Sequence, residues 1–286
     1  MRKLLHKNTP LTAFLLPSLL GMLALYIVPY LSSYYYSLTG AETGAFVGAE
    51  NFRSVLMSSA FRTAAINTLV FMVICIPLNM ILPFILANAL HKRQRIRMFM
   101  ALFMLPLVLP SGATVFFWRV IFDEYGLLNR LVGFMGGRPV YWFQSELALI
   151  VIILVFLCKN IGFNMVLFMT GFGRIPREYY EIAEVDGASR WRVLKSVTMV
   201  YLTPTTFMVF LMSIINSFKI FREIFLLFGN YPHTSIYMLQ HYMNNQFFSA
   251  GLQKLSVAST VISIAVAVPV ALLFAEQRRL SGSLRY

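Results

Sequence analysis

Six apolar runs, at approximately 11–38, 63–90, 98–121, 147–170, 203–228 and 253–275, constrain this chain more than any other feature. A helix rises about 1.5 Å per residue, so about 20 apolar residues carry it across a bilayer core about 30 Å thick. Each run meets that length. The 286 residues are 58% hydrophobic and 12% charged, against about 25% charged in a soluble domain. Burial of so much apolar surface calls for lipid as the solvent. The expected fold class is all-α, a polytopic membrane protein with six transmembrane helices in one domain spanning 1–286. The first run has the basic start of a signal peptide, but it is too long and holds Pro17 and Pro29, so it reads as an uncleaved anchor.

The charge balance fixes an orientation. With the N-terminus inside, the segments 1–10, 91–97, 171–202 and 276–286 hold 3, 4, 5 and 3 basic residues, 15 of the 24 Lys and Arg. The outside segments and their edges hold six: Arg53, Arg62, Arg119, Arg130, Arg138 and Lys254. The excess predicts both termini in the cytoplasm. A net charge of +13 spread beside membrane spans is no continuous basic face, which argues against nucleic-acid binding. Cys75 and Cys158 fall within apolar runs and read as buried small hydrophobes. The chain has no phosphate-cradling G-x-x-x-x-G-K-[ST] and no H-E-x-x-H. No catalytic residue, metal site or cofactor of its own is expected. If energy is used, another chain supplies it.

Interior prolines recur, at Pro77, Pro83, Pro106, Pro110, Pro204 and Pro269. Each removes a backbone hydrogen bond and bends its helix, and a membrane helix tolerates this when neighbouring groups satisfy the freed carbonyl. The bends are either packed kinks or hinges of a pathway.

Between the fourth and fifth runs lies EYYEIAEVDGASRWRVLKS, residues 178–196, with four acidic and three basic side chains. Pro176 suits the start of a helix near Arg177, and Glu178 and Glu181 favour its N-terminal end. Asp186-Gly187 breaks it, since glycine tolerates the positive φ of a helix end. Ser189 can cap a second helix. The segment is thus a helix, a turn and a helix between two spans. Ala183, Gly187 and Ala188 allow a partner to approach closely, and Glu181 and Asp186 supply charge. Tyr179, Tyr180 and Trp191 also suit a loop lying on lipid headgroups. The residues leave docking and lipid contact both open, with the acidic cluster favouring docking.

The same stretch, YYEIAEVDGASRWRVLKSV followed by Pro204, resembles the EAA loop of bacterial ABC importer permeases. Glu181, Ala183, Asp186, Gly187 and Ala188 match that pattern, with Ile182 in place of its first Ala and Val197, Met199 and Val200 in place of its Ile-x-Leu-Pro ending. FLLPSLLGMLALYIVPYLSSYYYSLT (14–39), VGAENFRSVL (47–56), WRVIFDEYGLLN (118–129) and KNIGFNMVLFMTGF (159–172) are similar to segments of the maltose-type carbohydrate permeases, and to the first of their two paired permeases. The resemblance implies a non-catalytic sugar-transport subunit in a bacterial cell membrane. Its partners would be a second homologous permease, two ATPase subunits that carry the ATP, and an extracytoplasmic sugar-binding protein. It also implies that the five matching loop residues couple the pathway to the ATPase.

Seven polar residues lie within predicted spans: Lys159, Asn160 and Asn164 in the fourth, and Asn216, Lys219, Arg222 and Glu223 in the fifth. Such groups face a bundle interior or an aqueous cavity. Lys219 and Glu223, four residues apart, can pair on one helix face. They read either as a structural ion pair or, given the resemblance, as the lining of a sugar pathway with Phe163 or Phe221 as a stacking ring. The alternative function is a stand-alone secondary transporter or channel. No internal repeat, a common feature of that class, is visible.

Overall fold

A computed structural model describes residues 9–91 and 96–283. The basic residues of 1–8, 92–95 and 284–286 lie outside the described residues. Every regular element described is helical: α1 (Thr9–Met22), α2 (Val28–Ser37), α3 (Glu50–Met57), α4 (Ser59–Leu90), α5 (Ile96–Val108), α6 (Ser111–Phe122), α7 (Leu127–Phe134), α8 (Ala148–Phe172), α9 (Arg177–Val185), α10 (Arg190–Val193), α11 (Met199–Lys219), α12 (Phe221–Phe228), α13 (Leu239–Phe248) and α14 (Leu252–Ser283). The chain forms two compact units, residues 1–62 with 243–273, and residues 63–242 with 274–286.

Among the described residues five helical stretches are long and apolar enough to span a membrane: Phe14–Ser37, Ser59–Leu90, Ala148–Phe172, Arg190–Phe228 and Leu252–Leu272. The third predicted span, 98–121, is divided. Its two halves are bent by 97° at Leu109 and Pro110, and count as a sixth span only when taken together. The cause is local. Pro110 is extended, with φ −62° and ψ 147°, and a residue preceding proline is pushed out of the helical region. Pro77 and Pro83, in contrast, sit inside the unbroken α4.

In the first unit, α1 and α2 join through a π-helical turn, Leu23–Ile27, just before Pro29. A wider turn accommodates the missing proline N–H. The Gly-rich segment after α2 closes on itself, with Thr39 bridged to Phe46. Asn51 Nδ2 holds it by donating to the carbonyls of Ser37 and Thr39, at 3.1 and 2.9 Å.

In the second unit α8 is the central element and packs against α5 and α11. Lipid tails are as apolar as leucine, so helix association in a membrane depends on close packing and interhelical hydrogen bonds. Gly162 permits a close approach: a methyl group there would run into the Phe103 carbonyl of α5. Two apolar cores flank the middle of α8. One gathers Phe71, Ile152, Phe156 and Ile224, with Phe71 edge-on to Phe156 at 5.3 Å. The other gathers Met165, Phe168, Leu202 and Val209, with Phe84 edge-on to Phe168 at 5.6 Å. Cys75 is buried as expected, but Cys158 is exposed, because it falls on the face of α8 turned away from both cores.

On α13, His241 is fully buried between the rings of Phe221 and Tyr237. Its Nδ1 accepts the Met238 N–H at 3.2 Å. Burial pushes this imidazole down to about 4.

Candidate functional site

The elbow at Pro110 sets the site. It starts α6 at Ser111, facing the middle of α8 and the junction of α11 with α12. A helix start is electropositive, and the buried carboxylate of Glu223 lies beside this one. Ser111 Oγ donates to Glu223 Oε1 at 3.0 Å. Lys159 Nζ of α8 forms an ion pair with the same oxygen and lies 3.3 Å from Ser111 Oγ. Glu223 is 3% exposed and Lys159 20%. Taking two charges out of water costs several kcal/mol, and a close pair with further hydrogen bonds offsets it.

The predicted partner of Glu223 was Lys219, and the structure replaces it with Lys159. The helix is interrupted at Ile220, whose carbonyl accepts both Glu223 N–H and Ile224 N–H at 3.1 Å. Glu223 is buried, whereas Lys219 and Arg222 are exposed. A sequence read as one unbroken helix cannot show this, and the elbow brings Lys159 in from another helix.

One cavity of about 270 Å³ collects six of the seven predicted polar residues: Lys159, Asn160, Asn216, Lys219, Arg222 and Glu223. Asn216 Nδ2 donates to Asn160 Oδ1 at 2.8 Å, and Asn160 Nδ2 donates to the Phe156 carbonyl at 2.8 Å. The two amides are thereby held in place along one wall. The ring in this wall is Phe156, whereas Phe163 and Phe221 do not line the cavity. Ser111 also lines it and was missed from the sequence. The Pro110-Ser111 pair, a helix start after a proline, was the available signal. Hydroxyl, amide and cationic donors beside an apolar ring are the chemistry needed to hold a hydroxylated or charged ligand in passing.

Asn164 stands apart. It is fully buried, and its Nδ2 donates to the Asn79 carbonyl at 3.0 Å. Pro83 lies four residues after Asn79 and has no N–H for that carbonyl, so the α8 amide takes the vacant place. Asn79 Nδ2 in turn donates to Ser213 Oγ at 2.9 Å. This polar rung ties α4, α8 and α11 together outside the cavity.

The helix-turn-helix after α8 forms as its residues dictate. Pro176 precedes α9, and Gly187 ends it with φ +65°. Gly187 N–H donates to the Glu184 carbonyl at 3.0 Å, and Ala188 N–H to the Ala183 carbonyl at 2.9 Å. These two bonds are the Schellman closure of a helix end. Ser189 Oγ caps α10 by accepting Arg192 N–H at 3.4 Å. Then α10 runs through a π-helical turn, Leu194–Thr198, into α11.

Glu181, Asp186 and Gly187 are exposed, and Ala183 and Ala188 are half-buried. Ile182, Val185 and Trp191 are exposed apolar side chains on the same loop. Clefts of about 730 and 870 Å³ flank Tyr180, and both reach His91 at the end of α4. Glu181 lines the first, and Glu184 and Ala188 line the second. His91 stacks on Phe172 at 4.6 Å, and Tyr180 Oη lies 3.3 Å from Thr198 Oγ1. The sequence pattern did not single out His91 or this use of Tyr180. Among the described residues, no three His, Cys, Asp or Glu side chains gather as a metal site.

Comparison with known proteins agrees with this architecture. Residues 43–286 match the model of the family described as binding-protein-dependent transport system inner membrane component. The trehalose/maltose transport system permease protein MalF of Thermococcus litoralis is 28% identical over 225 residues, 76% of this chain and 76% of that protein. The multiple sugar-binding transport system permease protein MsmF of Streptococcus mutans is 30% identical over 259 residues, 87% of this chain and 88% of that one. A chain of a bacterial alginate ABC transporter, crystallised in complex with an alginate pentasaccharide-bound periplasmic protein, shares the fold with a TM-score of 0.83. It is 19% identical, with 98% of each chain covered. A match over most of the length, on a fold of the same kind, makes this chain a member of the binding-protein-dependent transport system inner membrane component family.

Proposed function

We propose that this chain is one of two permeases that together form the pathway of an ABC importer for a sugar or oligosaccharide. The two compact units are read as one transmembrane domain. It sits in a bacterial cell membrane with both termini in the cytoplasm. An extracytoplasmic sugar-binding protein delivers the substrate. The second permease completes the pathway, and two ATPase subunits bind and hydrolyse the ATP, so this chain itself is not an enzyme and needs no cofactor.

The observation that carries this reading is the closed turn at Ala183–Ala188, whose acidic and apolar side chains are left exposed among the described residues. Glu181, Ala183, Asp186, Gly187 and Ala188 are the residues assigned to coupling. An ATPase that grips α9 passes its motion across the closed turn to α10, which runs on through the π-helical turn Leu194–Thr198 into α11. A rigid-body shift of packed helices then changes access to the cavity at Lys159 and Glu223. Lys159, Asn160, Asn216, Lys219, Arg222 and Glu223 are assigned to the pathway, and Asn164 supports it from outside.

The test is ATP-driven sugar uptake in proteoliposomes holding the assembled importer. Glu181→Lys and Gly187→Pro are expected to leave membrane insertion intact and to separate ATP hydrolysis from uptake. Normal assembly and transport by the Glu181→Lys importer would remove the coupling assignment. Uptake by this chain alone, without ATP or partner, would instead establish a secondary transporter or channel.

A further inference from the structure

The cavity carries an excess of positive charge that a neutral sugar does not use. Its titratable lining consists of Lys159, Lys219, Arg222 and Glu223. Glu223 is spent on Lys159 and Ser111. Lys219 and Arg222 are exposed, and among the described residues neither has an ion-pair partner. Two uncompensated cations therefore stand beside one cavity of a spanning helix, where unpaired charge is costly. Low-dielectric walls focus such a field and raise the local concentration of counter-ions. The same cavity offers Asn160 and Asn216, which suit hydroxyl groups. Donors for hydroxyls beside two free cations describe a ligand that is both polyhydroxylated and anionic.

Resting on the reading of this chain as a saccharide permease, we infer that its substrate is an acidic saccharide bearing carboxylate, sulfate or phosphate groups. Lys219 and Arg222 are the residues that accept its charge, and Arg222 can hold a carboxylate through two parallel N–H bonds. They act on passage: the anion meets them as it enters the cavity and leaves when the pathway reopens. Lys159 is not available for this role while Glu223 holds it.

The test uses the complete importer in proteoliposomes. Two sets of labelled trisaccharides are supplied: acidic ones (galacturonate, mannuronate and glucuronate oligomers, and sulfated and phosphorylated trisaccharides) and their uncharged counterparts, carboxyl-reduced, desulfated or dephosphorylated. The expected result is uptake of at least one acidic trisaccharide tenfold or more above its uncharged form. The Lys219→Gln, Arg222→Gln importer loses that uptake tenfold or more, and the Lys219→Arg, Arg222→Lys importer keeps it. Preferred uptake of the uncharged forms, or acidic uptake unchanged in the Gln variant, overturns the inference and leaves the importer standing. Failure of the Gln variant to assemble with the second permease also overturns it, and assigns the cations to the subunit interface. Uptake of neither set removes the saccharide-importer reading, and this inference with it.

Discussion

Asn164 donates its side-chain amide to the backbone carbonyl of Asn79, the carbonyl that Pro83 leaves without a helical donor. A proline in α4 is thus compensated by a polar residue of α8. An isolated buried carbonyl in lipid would cost about 1–3 kcal/mol. Asn164→Leu is therefore expected to lower stability by that order, read as a lower unfolding midpoint in detergent. Pro83→Ala restores an N–H to Asn79, so it should recover much of the loss in the Asn164→Leu background and do little in the parent. Equal effects of Pro83→Ala in both backgrounds would disprove the link between the two residues.

Among the described residues Glu223 is the only acidic one lining the cavity, and it holds Lys159. Removing one partner of a buried ion pair costs about 3–5 kcal/mol, because the other charge is left uncompensated. Glu223→Gln should be strongly destabilising. Lys159→Met combined with Glu223→Gln should be milder than Glu223→Gln alone, as a double-mutant cycle on unfolding midpoints will report. Additive losses would mean that the two side chains act independently.

Gly162 lies against the Phe103 carbonyl, with no room for a Cβ between α8 and α5. Gly162→Val is expected to push the helices apart and to lower stability by about 1–3 kcal/mol or more, the usual range for overpacking. Gly173 has no such neighbour, and a Cβ there meets only ordinary contacts. Gly173→Ala is therefore the control and should leave the unfolding midpoint near that of the parent.

His241 is buried neutral, its folded-state value near 4 against 6.5 when unfolded. The unfolded chain takes up a proton between those values and the folded chain does not. The stability linked to this group is thus complete above pH about 6.5 and is lost as pH falls towards 4. A shift of this size is worth roughly 3 kcal/mol. The unfolding midpoint should fall over that window, and His241→Asn, whose side-chain oxygen can still accept from Met238 N–H, should flatten the fall.

Much of the architecture was legible in the sequence because lipid imposes a length and a composition on every span. Runs such as 147–170 and 63–90 appear as α8 and α4 almost at the expected residues. The turn at Gly187 was also legible. Its geometry is local, set by Pro176, Asp186, Gly187 and Ser189, whose backbone preferences act within a few residues of themselves. The third run was legible as one span bent at its prolines, but hydropathy does not register the direction of a chain, and the size of the bend, 97° at Leu109 and Pro110, was not. Pro110 carried the information, but prolines also sit inside the unbroken α4. Whether a proline bends a helix or breaks it depends on what its neighbours supply.

The sequence by itself determined the helical membrane class, the positions of most spans, the family resemblance and the form of the loop between α8 and α11. The class, the spans and the loop follow from hydropathy and turn chemistry along the chain, and the resemblance from stretches of matching residues. Only the tertiary structure decided which polar residues meet. It paired Lys159 with Glu223, drew Ser111 to them through the elbow at Pro110, and set Asn164 against Asn79 instead of in the cavity. In each case the partners lie on different helices, 48 to 112 residues apart for the Ser111 cluster and 85 for the two asparagines. The physical reason is that helix periodicity relates neighbours on one face only. Contacts between helices are set by packing: by a glycine that permits close approach, a proline that turns the chain, and a carbonyl that must find a donor.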